Sequence, residues 1–147
     1  MNGEPEHLLP CDLQNRASLR GNEYAWRVED IPEVIDATEA ANLASVGGQL
    51  QFRLPDGSTC ECYWVEVDAV RDLPDDLSWS DRVRATASAA RRRFDELKQH
   101  FDFIGEGRKG FQEHLSEFEA DGGSVADAMC FVWYVDSEES YSNSTIT

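Results

Sequence analysis

LQFRLPDGSTCECYWVEV, residues 50–67, decides the fold because it contains two strands and the turn that joins them. Leu50, Phe52 and Leu54 alternate with polar residues, which is typical of a strand with one face toward water. The Pro-Asp-Gly at 55–57 predicts the turn, because proline presets φ at the first central position and glycine takes the positive φ that follows. The stretch therefore predicts a β-hairpin.

The turn type also predicts the register of the hairpin. A three-residue loop with a glycine bulge places Leu54 opposite Ser58. Three further pairs follow by counting: Phe52 with Cys60, Leu50 with Cys62, and Gly48 with Trp64. Both cysteines then lie on the apolar side and Glu61 on the other. Because the second strand becomes apolar on both faces toward its end, we expect it to be an inner strand.

The Cys-x-Cys pair raises the question of a metal site or a reactive thiol. Zinc or iron would need further ligands such as His100, His114 or Cys130, and structural zinc sites favour gaps of two to four residues between cysteines. Thiol catalysis would need a histidine beside a cysteine, and no sequence spacing indicates one. Free cysteine is common in protein cores. We therefore expect packed, reduced thiols and predict no metal, no cofactor and no catalytic residue.

Helix and strand patterns flank the hairpin. Asp30, with Glu33 three residues later, predicts a capping box that begins a first helix, and Val-Gly-Gly at 46–48 predicts its end. Ser78 is predicted to cap a long second helix, because an apolar stripe with helical spacing follows it. The stripe consists of Trp79, Val83, Ala87, Ala90, Phe94, Leu97 and Phe101.

Three shorter patterns complete the predicted elements: a strand at 23–28, a helix at about 111–120, and an apolar strand at 128–135 that is predicted to be central and buried. The expected fold class is α+β, with a small mixed or antiparallel sheet, formed by the hairpin and the C-terminal strand, packed with about three helices. We expect a flexible arm over 1–22, a single domain over 23–136, and a disordered tail over 137–147.

Two local motifs have ordinary structural interpretations. Gly105, Gly107 and Gly110 match G-x-G-x-x-G, but a long helix precedes them where a dinucleotide site needs a strand. A flexible turn between helices explains them. Eight of the 13 basic residues lie between Arg82 and Lys109, which predicts a basic region along the long helix and is typical of a solvated helix face.

The net charge is the strongest functional indication. Twenty-nine acidic and 13 basic residues give a formal charge of −16. Such a field repels nucleic acid and anionic membranes and attracts basic partners. Residues 1–22 hold Glu4 and Glu6 and no apolar block, so we expect no signal peptide and a cytoplasmic location.

Two acidic groups are the predicted partner-binding residues. One lies on the first helix, and the other lies in the connection that precedes the long helix. Carboxylates beside aromatic side chains suit a protein-binding surface ringed by charge. The residues are Glu29, Glu33, Asp36, Glu39, Asp68, Asp72, Asp75, Asp76, Trp79 and Asp81.

A family resemblance adds to this. The stretch YAWRVEDIPEVIDATEAANL at 24–43, which runs into GGQLQFRLPDG at 47–57 and CYW at 62–64, resembles the small acidic immunity proteins of bacterial polymorphic-toxin and contact-dependent inhibition systems. The resemblance implies a non-catalytic protein that binds and neutralises a cognate toxin with a basic surface. Two alternatives remain open: a small cytosolic enzyme or ligand-binding domain with a pocket between the sheet and the long helix, and an acidic DNA mimic.

Overall fold

An antiparallel sheet of five strands forms the centre of the molecule, and the computed structural model describes residues 4–146, with side chains through residue 142. The strands are β1 (Ser18–Arg20), β2 (Glu23–Trp26), β3 (Ala44–Arg53), β4 (Thr59–Asp68) and β5 (Met129–Asp136). Their order is β1-β2-β5-β3-β4, and every neighbouring pair is antiparallel. The predicted α+β class is confirmed, and the C-terminal strand is central as predicted. The second hairpin strand, β4, lies at the sheet edge, so the prediction of an inner strand was wrong.

Seven helices accompany the sheet in the described range, where the sequence predicted about three. They are α1 (Cys11–Arg16), α2 (Ile31–Ala40), α3 (Trp79–His100), α4 (Phe103–Gly110), α5 (Gln112–Ala120), α6 (Val125–Ala128) and α7 (Glu138–Ile146), with short 3₁₀ turns at Pro5–Leu8 and Val28–Asp30. Within residues 4–146, none of the helices combines the length and the apolar character that crossing a membrane requires.

The main core lies between one face of the sheet and the helices. Phe52, Phe131 and Trp133 from the strands are fully buried there, together with Phe94 of α3. The rings of Phe94 and Phe131 meet edge to face, with centroids 5.2 Å apart, which is a preferred aromatic geometry. Of the apolar stripe predicted for the long helix, Ala87, Ala90 and Phe94 are buried in this core, and Leu97 and Phe101 pack against it.

The opposite face of the sheet carries no helix in the described part of the chain. Its buried apolar cluster consists of strand residues alone, Ala25, Cys130 and Val132, with Tyr134 packed beside them. Buried apolar residues of the helices, such as Ile35, Phe94 and Leu115, belong to the main core instead. The sheet therefore has one covered face and one open face.

The hairpin register is confirmed near the turn and changes farther from it. Leu54 N–H donates to Ser58 O at 2.9 Å, and the two predicted cysteine pairs form. Gly48, however, pairs with Val67 and not with Trp64, because residues 63–65 form a bulge between Cys62 and Glu66.

The bulge allows Trp64 to leave the ladder. Its indole Nε1 donates to Glu106 Oε1 of α4 at 2.8 Å, and its ring lies so close to Gly110 that a Cβ there would be 2.6 Å from it. This long-range contact has no counterpart in the local turn sequence, so counting from the turn could not detect the register shift.

The first helix begins and ends differently from the prediction. A 3₁₀ turn leads directly into α2, and Asp30 has helical dihedral angles and makes no capping hydrogen bond. The helix ends at Ala40, and Asn42 takes a positive φ of 61°. Gly48 lies inside β3 and not at the end of the helix. Only glycine fits at this position, because a Cβ there would lie 1.7 Å from Val132 O of the neighbouring strand. The predicted cap at Ser78 does form, since its Oγ accepts from the N–H of Asp81.

The two segments predicted to lack structure contain ordered elements. In the predicted arm, Leu9 and Leu13 are buried in the core, and Trp26 Nε1 donates to Leu13 O at 2.8 Å. In the predicted tail, α7 forms, and Tyr141 packs against Trp79 with ring centroids 5.7 Å apart. Contacts with distant parts of the chain stabilise both segments. Residues 1–3 and 147 lie outside the described range.

Candidate functional site

The acidic residues predicted on the first helix are bound by arginines of the same chain. Arg91 of α3 donates to Asp36 at 3.0 Å and to Glu39 at 2.5 Å. The hydrogen bond to Glu39 is the main reason that the pKa of Arg91 is raised. Arg16 likewise binds Glu33 at 2.7 Å, and it also contacts two other carboxylates.

Glu29 follows the same pattern, since it pairs with Arg27 at 3.2 Å. Its pKa is lowered, first by a hydrogen bond from its own backbone N–H and then by Arg27. The acidic helix face predicted from the sequence is therefore largely neutralised by arginines of the same chain.

The carboxylates in the connection before α3 differ in whether they have partners. Asp72, Asp75 and Asp76 are exposed, and their side chains make no hydrogen bond or ion pair within the described residues. Asp68 at the end of β4 accepts from Val70 N–H and lies 3.6 Å from Arg71. The middle of the connection thus carries three uncompensated charges.

Trp79 and Asp81 have partners inside the molecule. Trp79 Nε1 donates to Asn42 O at 2.9 Å, which ties the start of α3 to the end of the first acidic helix. Asp81 forms an ion pair with Arg84. Both residues therefore stabilise the start of α3.

The structure does not join the two predicted acidic groups into one cluster. Arg91, which binds the first group, and Asp81, which belongs to the second, lie ten residues apart on α3. At 1.5 Å per residue, this is about 15 Å along the helix axis. No hydrogen bond or ion pair joins the groups in the part of the chain that the structure describes.

The cysteines and histidines do not assemble a reactive site in the described range. Cys60, Cys62 and Cys130 are buried, and Cys11 is exposed. Burial raises the pKa of Cys62 to about 12, so its thiol carries no charge near neutral pH. Among the described residues, no group of three or more histidine, cysteine, aspartate or glutamate side chains is arranged to hold a metal ion.

The G-x-G-x-x-G segment is helical, which corrects its interpretation as a flexible turn. Gly107 lies within α4, and Gly110 is the last residue of that helix. A Cβ at Gly107 would lie 2.3 Å from the Phe52 ring, so this glycine allows the helix to approach the sheet closely. The segment contributes to packing.

A small cleft lies where the alternative hypothesis of a ligand pocket would require one. It has a volume of about 230 Å³ and lies between β4 and α3, and its lining includes Glu66, Arg93 and His100. Ligand pockets usually measure roughly 300–1,000 Å³ and are largely apolar. This cleft is smaller than that and is lined mainly by charged side chains.

The open face of the sheet is curved. Arg20 of β1 donates to Leu54 O at 2.6 Å and to Ser58 O at 2.9 Å, although β1 and β3 are separated by two strands. Flat strands about 4.8 Å apart would place these groups beyond the reach of one side chain. The sheet therefore curls toward this face, and the small residues Ala25 and Val132 are fully buried beneath longer ones.

A connected set of polar side chains covers these small residues. Arg53, only 7% exposed, donates from Nε to Gln51 Oε1 at 3.0 Å and from its guanidinium to Ser18 O and Glu23 O. Gln51 in turn donates to Glu61 Oε1 at 3.1 Å. Burial is the main reason that the pKa of Arg53 is lowered.

Tyrosine hydroxyls bind two carboxylates on the same face, those of Glu61 and Glu23. Tyr63 OH donates to Glu61 Oε2 at 2.6 Å, and Tyr134 OH donates to Glu23 Oε2 at 2.8 Å. Neither carboxylate forms an ion pair with an arginine or lysine among the described residues. Neutral donors therefore orient both carboxylates, while the charge of Arg53 acts on Glu23 through space without an ion pair.

The pKa values of Tyr63 and Tyr134 are both raised above the ordinary value for tyrosine. The hydrogen bond to Glu61 raises the pKa of Tyr63, with a smaller contribution from the charge of Glu23. Burial and the hydrogen bond to Glu23 raise the pKa of Tyr134, with a smaller contribution from Glu61. The four groups are therefore close enough to act on one another.

Sequence analysis missed this cluster, although part of its pattern was visible. The alternation of Gln51 and Arg53 with apolar residues predicted a polar face, and Glu61 was placed on it. Glu23 and Tyr134 were missed because they are 111 residues apart in the chain and meet only through the sheet order.

Comparison with known proteins supplies no relative for this chain. No family model, no curated protein and no solved structure matches it.

Proposed function

We propose that this protein is a non-catalytic immunity protein, which acts in the cytoplasm by binding a cognate bacterial toxin and covering a basic surface on it. The observation that carries the proposal is the distribution of unpaired carboxylates. Arginines of the chain bind the acidic groups on α2, whereas the open sheet face and the middle of the connection keep theirs free.

The exposed aromatic residues of the edge strand β4 support binding to a protein. Tyr63 is 63% exposed and Trp64 is 45% exposed, and both lie on the edge strand β4. Tyrosine and tryptophan are enriched among residues that dominate protein–protein binding energy. Exposed aromatic groups beside oriented carboxylates suit a protein surface that contains lysine or arginine.

The direct test is a calorimetric titration of the full chain with the protein encoded by the neighbouring gene. We expect one-to-one binding that inhibits the activity of that protein. Raising the salt concentration from about 50 mM to about 500 mM should slow association markedly, because screening shortens the reach of the acidic field.

Two results would contradict the proposal. One is the absence of binding at micromolar concentrations of both proteins. The other is binding that leaves the partner fully active and whose association rate does not respond to salt.

A further inference from the structure

We propose that the open face of the sheet is a docking site for a lysine or arginine side chain of a basic protein, with Glu23 and Glu61 receiving the cation and Tyr63 covering its aliphatic stem. This deepens the proposed function and rests on it for the identity of the partner. The acidic connection at 70–78 then contributes attraction at long range and not the contact itself.

The geometry leaves both carboxylates able to accept further hydrogen bonds. Glu61 receives bonds from Tyr63 and Gln51, and Glu23 receives one from Tyr134. A carboxylate has about four acceptor positions. Each one therefore retains acceptor capacity for a guanidinium or ammonium group, and its neutral donors already fix its orientation.

The arginines of this face do not occupy that capacity. Arg53 binds Gln51 and the backbone carbonyls of Ser18 and Glu23, and Arg20 binds the backbone of the β3–β4 turn and Thr59. Neither forms an ion pair with Glu23 or Glu61. Their charges serve to hold the curled sheet together.

The chemistry of the face selects a cation on an organic stem. The two carboxylates are the partly exposed acceptors of this face, whereas the Arg53 guanidinium is buried and bonded to carbonyl oxygens, and no group of three or more metal-ligand side chains occurs in the described range. The Tyr63 ring is exposed beside Glu61, where an aromatic face can contact the methylenes of lysine or the plane of a guanidinium. A partner with the opposite charge also matches the net charge of −16.

The test uses a ten-residue peptide of alternating arginine and glycine as the probe, with the full chain labelled for NMR. We expect chemical-shift changes at Glu61, Tyr63 and Tyr134. The double variant Glu23→Gln, Glu61→Gln should weaken peptide binding about tenfold, because charged hydrogen bonds are lost while each new amide oxygen still accepts from a tyrosine. Tyr63→Ala should weaken binding as well.

A matched control removes the same number of charges elsewhere. Glu113→Gln with Glu117→Gln changes two exposed carboxylates of α5, and it should alter the affinity less than about twofold. The spectrum of each variant without peptide verifies that its fold is retained.

Several outcomes would overturn the inference: no binding at millimolar peptide, shift changes centred on residues 70–78, or equal weakening in the sheet variant and the control. Greater weakening by Asp75→Asn with Asp76→Asn than by the sheet variant would also do so. Failure of the toxin titration alone, with peptide binding at the sheet face intact, would count against the proposed function and not against this site.

Discussion

At the scale of single residues, burial determines the chemistry of the cysteines. The two side chains of the Cys-x-Cys pair lie side by side in the core, where a thiol behaves as a small apolar group. Burial raises the pKa of Cys60 as well, and it raises that of Cys130 to about 11. Because the thiolate is the reactive form, these three cysteines should be inert in the folded protein.

We therefore predict that iodoacetamide at about pH 8 modifies one cysteine per native chain, Cys11, and all four after denaturation. Mass spectrometry of the intact chain counts the modified thiols. A Cys11→Ser variant should show no rapid modification. Rapid modification of a second cysteine in the native protein would show that one of the buried thiols is accessible.

At the scale of elements, a buried carboxylate ties the N-terminal segment to the sheet. Glu6 is 4% exposed and accepts from the N–H of Val135 at 3.0 Å. Burial is the largest cause of the raised pKa of Glu6, and nearby Glu4 and Asp136 add to it. The pKa of Asp136 is itself raised by burial, and Arg82 opposes that shift. Below the pKa that Glu6 has in the unfolded chain, its carboxyl is protonated in both the folded and the unfolded state. As pH rises through the higher pKa of the folded state, the contribution of this carboxyl to stability falls.

Glu6→Gln should therefore stabilise the protein at pH 7, because the amide oxygen still accepts from Val135 without a buried charge. The gain should disappear below about pH 4, where the native carboxyl is neutral. Glu6→Leu removes the acceptor and should cost about 1–3 kcal/mol. Urea unfolding at both pH values measures the differences, and Glu117→Gln, which changes an exposed carboxylate of α5, serves as the control. A Gln variant less stable than the native protein at pH 7 would refute this account.

Elements encoded by local pattern were predicted, and those that depend on distant contacts were not. The hairpin turn, the cap of α3 at Ser78 and the apolar strand β5 each have a short sequence signal. In contrast, α4 contains glycines that packing requires, and α7 is polar along its length. The α7 helix forms where Ser137 Oγ accepts from Ser140 N–H and where the Arg82 guanidinium lies 4.2 Å from the Tyr141 ring centroid.

The candidate site also depends on contacts between distant parts of the chain. Sequence reasoning assigned one acidic group to the first helix and the other to the connection before α3, but it could not tell which of these carboxylates an arginine neutralises. Arg91 and Asp36 are 55 residues apart in the chain, and their pairing follows from how α3 packs on α2. Only the packed structure distinguishes a neutralised acidic helix from an oriented, unpaired carboxylate such as Glu61.

At the scale of the whole molecule, excess negative charge opposes folding. With 29 acidic and 13 basic residues, carboxylates outnumber lysine and arginine cations by 16. The ion pairs are mostly exposed, and such pairs contribute about 0–1 kcal/mol each. Mutual repulsion among the remaining carboxylates is therefore expected to dominate the response to salt.

We predict that raising sodium chloride from about 10 mM to about 200 mM increases the melting temperature, since screening weakens the net repulsion. A rise of roughly 3 °C would correspond to about 1 kcal/mol in a chain of this size. Differential scanning calorimetry measures it, with a non-ionic osmolyte of equal osmolarity as the reference. A fall in melting temperature would mean that the ion pairs of Arg16 and Arg91 outweigh the repulsion.

The bulge in the edge strand has a consequence for self-association. Residues 63–65 divide β4 into two short runs, so its outer row of backbone donors and acceptors is discontinuous. A second copy of the chain could not extend the sheet along the full strand, and the charged Glu61 and Glu66 of this strand also oppose such a junction. The exposed aromatic residues of this edge can thus remain available to a different protein without seeding filaments of like chains.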